Sequence, residues 1–193
     1  MQIMKSESTA LILIDIQEGF NEEAYWGGNR NNKEAELKCA ELLHHWRENK
    51  WPVIHTQHCS KNPNSPLHVS HPGNKFMEIV NPMEGELVLT KDVNSAFIGT
   101  PLDSFLKSRG IKSLVIVGLV TNHCVSTSAR ISANLGYETF VVSDATATFD
   151  RKGVDGEIIP AEVMHKVALA SLNEEFATIL KAEQIINYEK TSV

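Results

Sequence analysis

The apolar positions of this chain fall into short uninterrupted runs separated by stretches in which they recur every three or four residues. The runs are Ala10 to Ile14, Val53 to Gln57, Glu86 to Thr90, Ile111 to Val117, Tyr137 to Val142 and Phe176 to Leu180. Runs this short and rich in branched residues predict strands covered on both faces, as in a parallel sheet. Between them, Asn32 to Asn49 carries Ala35, Cys39, Leu42 and Trp46 on one helical stripe, with Glu34, Glu36, Lys38 and Glu41 opposite. Thr100, Pro101 and Asp103 supply an N-cap, an N1 proline and an acidic third position for the next helix, and Gly110 supplies its stop. Gly118 ends the fourth strand, and Thr121 or Asn122 can cap a helix whose first turn holds Cys124. Pro160 opens a further helix with Val163, Val167 and Ala170 on one face, and a terminal helix runs through Ile185 and Ile186.

Strands alternating with helices predict an α/β fold: a three-layer α/β/α sandwich around a mainly parallel six-stranded sheet, Rossmann-like, with right-handed crossovers. The 193 residues suit one domain spanning 1–193. Two stretches lack periodicity, a polar loop from Ser143 to Ile159 and a longer loop from His58 to Glu86 that four prolines punctuate. A loop of that length in a compact domain predicts a lid or a substrate wall, or else a mobile segment. With His55 it carries His58, Cys59, His68 and His71, which invite a zinc reading. On an extended segment two His-x-x-His steps do not share a face, and no acidic ligand is adjacent, so no metal is expected.

The composition, 42% hydrophobic and 22% charged, is that of a globular protein, and the net charge of -6 without a basic stripe excludes a nucleic-acid partner. No segment is long and apolar enough for a signal or a membrane span. Three cysteines without framework spacing predict reduced thiols in a cytoplasmic protein.

Three polar residues stand at the carboxyl ends of predicted strands: Asp15, Lys91 and Cys124. In a parallel sheet these ends share one edge, where ligands gather. A thiol at a helix N-terminus is expected to ionise more easily than a free one; a carboxylate can take its proton and a lysine can steady both. The plainer alternatives are a cysteine packed as a small hydrophobe and a solvated loop carboxylate. His123-Cys124 with Arg130 also matches the His-Cys-x5-Arg spacing of cysteine phosphatases, although V-S-T-S-A has no glycine for a phosphate cradle. Arg130 is expected to be an outward salt-bridge partner.

The segments L-I-D-I-Q-E-G-F, K-D-V-N-S-A-F and V-I-V-G-L-V-T-N-H-C-V, in this order, resemble the isochorismatase-like cysteine hydrolases, a superfamily that includes nicotinamidases, N-carbamoylsarcosine amidases and ureidoacrylate amidohydrolases. The resemblance implies an Asp15-Lys91-Cys124 triad, a cis peptide at Leu119-Val120, an oxyanion hole from the N–H groups of Val120 and Cys124, and a homo-oligomer, dimer or tetramer. Where nicotinamidases carry an Asp-x-His metal motif this chain reads His58-Cys59-Ser60, and isochorismatases proper generally lack the cysteine. The expectation is a hydrolase of an amide, ureido or imide C–N bond in a small molecule, without a cofactor. The alternatives are vinyl-ether hydrolysis and a non-catalytic ligand-binding protein. Phe20, Tyr25, Trp26, Asn94 and Phe97 are the expected pocket wall, with Gln57 and His58 near its mouth.

Overall fold

The computed structural model describes residues 8–188. The chain begins with β1 (Thr9–Ile14), a short helix α1 (Glu23–Trp26), α2 (Ala35–Glu48), β2 (Val53–His58) and β3 (Leu87–Lys91). It continues through α3 (Leu102–Ser108), β4 (Ser113–Leu119), α4 (Ser126–Asn134) and β5 (Glu138–Ala147). A two-stranded ribbon, β6 (Arg151–Lys152) and β7 (Ile158–Ile159), precedes α5 (Ala161–Leu172), β8 (Thr178–Leu180) and α6 (Ala182–Tyr188). Six strands form one parallel sheet in the order β3-β2-β1-β4-β5-β8.

Alternation along the strands builds two cores. Leu11 and Leu13 of β1 with Val115, Val117 and Leu119 of β4 face Leu42 and Trp46 of α2 and Ile185 of α6. Ala10, Ile12 and Ile14 with Leu114 and Ile116 face Leu102 and Leu106 of α3, Val125, Ala129 of α4 and Leu172 of α5. Each strand is therefore apolar on both faces, which is why its sequence reads as a run rather than an alternation. Cys39 is structural, as its stripe predicts: it is buried beneath the sheet and its thiol donates to the Ala145 carbonyl at 3.1 Å.

The strand order reverses between β1 and β4, since the chain moves from β1 outward to β3 and returns on the other side of β1. A crevice opens outside the carboxyl ends of strands at such a point. The two central strands approach closely there. Gly118 has φ +116°, and a Cβ on it would stand 2.2 Å from the Ile14 carbonyl oxygen.

Three expectations need correction. The fifth strand runs on to Ala147, because Thr146 and Ala147 pair with Gly118 and Leu119 after a register shift; buried threonines there gave the sequence the look of a polar loop. In α5, Val163 and Val167 face outward, and the inward face is carried by Ala161, His165 and Leu172. That face is set by a hydrogen bond between the His165 ring and the Thr121 hydroxyl (2.9 Å). Arg130 lies over the Phe176 ring, 4.5 Å from its centroid, instead of reaching outward to a carboxylate. Among the described residues no helix is long and apolar enough to cross a membrane.

Candidate active site

Asp15 is the first residue beyond β1 and turns its backbone to φ +51°, a region Asp tolerates better than most side chains. Its N–H and carboxylate both turn toward Thr56 of β2. The N–H donates to the Thr56 carbonyl (3.1 Å) and hydroxyl (3.2 Å), and the hydroxyl donates to Oδ1 at 2.6 Å. Lys91, the last residue of β3, donates from Nζ to Oδ2 at 2.5 Å, and both side chains are wholly buried. The same ammonium lies 3.2 Å from Nδ1 of His58 and 3.2 Å from the Val93 carbonyl. It therefore has three acceptors for three hydrogens. A buried ion pair holds when its remaining hydrogen-bond positions are filled in this way.

Cys124 arrives from the other side of the switch point. The peptide bond between Leu119 and Val120 is cis. The chain then makes one widened turn, Thr121 to Val125, with the Val120 carbonyl accepting from the N–H groups of His123 (3.0 Å) and Val125 (3.4 Å), before α4 begins. Widened turns of this kind recur at functional sites. The expected side-chain N-cap is absent: neither Thr121 nor Asn122 caps the turn, because Thr121 is engaged with His165 and Asn122 with Thr148. The Cys124 thiol lies 3.8 Å from Oδ1 of Asn94, and one donor atom each from Asp15, His58 and Cys124 lie within 4.8 Å of one another.

The thiol is harder to ionise than a free one, which reverses the expectation from its place in the first turn. Burial pushes it up first and the Asp15 carboxylate second, and Lys91 offsets them only in part.

A cavity of about 190 Å³ opens onto the sulfur. Of the residues expected in its wall and mouth, Phe20, Tyr25, Trp26, His58 and Asn94 line it, together with Val120. Phe97 and Gln57 do not. Phe97 packs under α3 against Tyr137, ring centroids 6.1 Å apart, and Gln57 spends its amide on Asn74. Ser60, Ser65 and Leu67 complete the wall from the long loop, which is therefore a wall packed in place. It is fastened by Asn74, whose amide donates to the carbonyls of His58 (3.0 Å) and Leu67 (2.8 Å), and by Gln17, which donates to the His58 and Asn74 carbonyls. His123 lines the far side; burial and the Arg151 guanidinium 2.9 Å away lower it to about 4.

Sequence reasoning missed Thr56, His123 and the Gln17–Asn74 clip. The first was legible as a hydroxyl inside an apolar strand, and Gln17 stands within a quoted motif; Asn74 carried no signal. Asp15, His58 and Cys124 are a donor set that fits a metal, and here an acidic ligand does lie near His58. Lys91 already stands against two of the three, so the ammonium supplies the positive charge in that space. Cys59 has turned into a separate cleft with Val69 and Thr90. V-S-T-S-A is helix, not a phosphate cradle, so the phosphatase spacing is accidental.

The isochorismatase domain model matches residues 9–184, and the chain belongs to the isochorismatase family. It is 46% identical over 181 residues to the isochorismatase family protein YrdC of Bacillus subtilis (strain 168), covering 94% of this chain and 96% of that one. It is 29% identical over 180 residues to the ureidoacrylate amidohydrolase RutB of Klebsiella pneumoniae, covering 72% and 73% of the two chains. The crystal structure of an isochorismatase-family hydrolase from Chromobacterium violaceum ATCC 12472 superposes with a TM-score of 0.90 at 36% identity, over 95% of this chain and 94% of that one. The protein is a hydrolase of this family.

Proposed function

We propose that the protein is a cysteine hydrolase of a C–N bond, amide, ureido or imide, in a small molecule. The carrying observation is the buried carboxylate held by Lys91 and Thr56 beside a thiol that opens on a cavity. Asp15 takes the thiol proton as sulfur bonds to the substrate carbonyl carbon and the π pair moves to oxygen. The N–H groups of Val120 and Cys124 receive that oxyanion. The carbonyl re-forms, the C–N bond breaks, and Asp15 returns its proton to the departing nitrogen. Water then opens the thioester with Asp15 again as base, and the sulfur leaves with the proton. Lys91 keeps Asp15 oriented between steps. The likeness to RutB supports C–N cleavage, and vinyl-ether cleavage by protonation gives the thiol no role. The cavity admits only a small substrate, and a homo-oligomer is part of this reading.

The test is a screen of small amides and ureido acids for ammonia release, with mass spectrometry of the quenched enzyme. The expected result is an acyl adduct on Cys124 and loss of at least about a thousandfold in kcat for Cys124→Ala. Turnover surviving that substitution would overturn the proposal.

A further inference from the structure

His58 lines the cavity, and its position is over-determined. Its N–H donates to Gln17 Oε1 at 2.8 Å, and its carbonyl accepts from Gln17 and Asn74. Its side chain is 16% exposed, and the ring meets Lys91 through Nδ1. An ammonium has three hydrogens and no lone pair, so Nδ1 can only accept from it, and the ring proton is confined to Nε2. A second ring proton would set N–H against the ammonium. Burial and Lys91 both lower the affinity of the ring for it, against weaker opposition from Asp15. Asp92, the other acid that acts on this ring, is engaged by Lys61 at 2.7 Å.

We infer that His58 is a substrate-positioning residue that presents a fixed, uncharged Nε2–H to the cavity, and that, since its ring stands 3.9 Å from the Asp15 carboxylate that returns the proton to the leaving nitrogen, the substrate carries an acceptor oxygen on that side of the scissile bond to receive it. An acylurea, imide or ureido acid has that oxygen; a simple primary amide does not. This rests on the cysteine-hydrolase reading and narrows it. A neutral donor beside the leaving group also cannot compete with Asp15 for the thiol proton, so binding and proton transfer fall to different side chains.

Two measurements test it. Long-range proton–nitrogen correlation spectra of protein labelled on histidine nitrogen should give a protonated Nε2 and a bare Nδ1 for His58 throughout about pH 5 to 8, and Lys91→Met should release the ring to titrate. A proton on Nδ1, or titration in the wild type, overturns the inference. The second measurement is kcat/KM for acetylurea, cleaved to acetate and urea, against acetamide. The wild type should prefer acetylurea. His58→Asn keeps an acceptor near Lys91 but does not reach the Nε2 position, and it should reduce that preference about tenfold, mainly through KM. His58→Gln, whose amide does reach, should restore part of it. An unchanged preference in His58→Asn overturns the inference, as does failure to cleave either compound by a protein whose Cys124 alkylates with iodoacetamide in an Asp15-dependent way. Alkylation of Cys124 that ignores Asp15→Asn instead removes the hydrolase reading beneath it.

Discussion

Gly118→Ala is the smallest change that should disturb fold and site together. The added Cβ would lie 2.2 Å from the Ile14 carbonyl oxygen, 2.8 Å from its nitrogen and 2.9 Å from its carbonyl carbon. All three are backbone atoms of the adjacent central strand, and none can rotate away. Reaching a tolerable 3.0 Å from the oxygen requires about 0.8 Å of separation (3.0 minus 2.2) between β1 and β4 at their carboxyl ends. Overpacking of this kind costs about 1–3 kcal/mol, and holding a side chain at φ +116° adds about 1–3 kcal/mol. The expected loss is about 4 kcal/mol, read as a lower urea midpoint with unchanged slope. Gly136→Ala is the control: its φ is +89° but nothing lies within 4 Å of its Cβ, so only the backbone cost of about 1–2 kcal/mol applies. Because Asp15 directly follows Ile14, Gly118→Ala should also slow Cys124 alkylation, and Gly136→Ala should not. Equal destabilisation by the two substitutions would refute the close-approach argument.

Three further outcomes follow from the buried polar groups. Thr56→Val removes the hydroxyl that donates to Asp15 Oδ1 and should lower stability by about 1–2 kcal/mol by thermal unfolding and kcat about tenfold. Lys91→Ala leaves Asp15 buried without its cation, at a cost of about 3–5 kcal/mol. It also frees Asp15, His58 and Cys124 to hold zinc, so titration calorimetry should detect a zinc site in the variant that the wild type lacks. Glu86 accepts from Arg47, from the Met83 N–H and from His55, and these contacts outweigh the opposing effect of burial to hold it at about 2, against 4.5 for a free carboxyl. Its folded value is depressed, so its contribution is complete above about pH 4.5 and disappears as pH falls toward about 2. Acid titration of stability should accordingly be flatter in Glu86→Gln over that window, and a parallel curve would remove Glu86 as the cause.

The three residues at strand ends were legible because a parallel sheet puts every strand's carboxyl end on one edge, so position in the strand pattern was enough to bring Asp15, Lys91 and Cys124 together. What lay outside the pattern was decided by contacts distant in sequence. Val163 and Val167 have the spacing of a buried stripe, yet α5 turns the other way, with His165 buried and hydrogen-bonded with Thr121. Thr146 and Thr148 read as loop because polarity stands in for exposure in a sequence; in the structure both are fully buried. The thiol's resistance to ionisation was hidden for the same reason, since a first-turn position can be read from sequence and the depth of burial around it cannot. Gln57 and His58 are adjacent in β2 and so point to opposite sides, which leaves only His58 in the wall, and Phe97 was drawn into the second core by contacts with Tyr137 that the sequence does not display.

The Gln17–Asn74 clip divides the molecule into a part that reacts and a part that chooses. The groups at the strand ends are locked by the sheet register, whereas Ser60, Ser65 and Leu67 stand on a loop fastened to that frame by the Gln17 and Asn74 amides, by the Cys59 N–H on the Lys91 carbonyl and by burial of Leu67. Everything between His58 and Asn74 is in this sense a cartridge. Within it Ser60 and Ser65 face the cavity while the Cys59 N–H holds the Lys91 carbonyl (2.7 Å) and Leu67 is buried in the core, so a new specificity is most directly sought at the two serines.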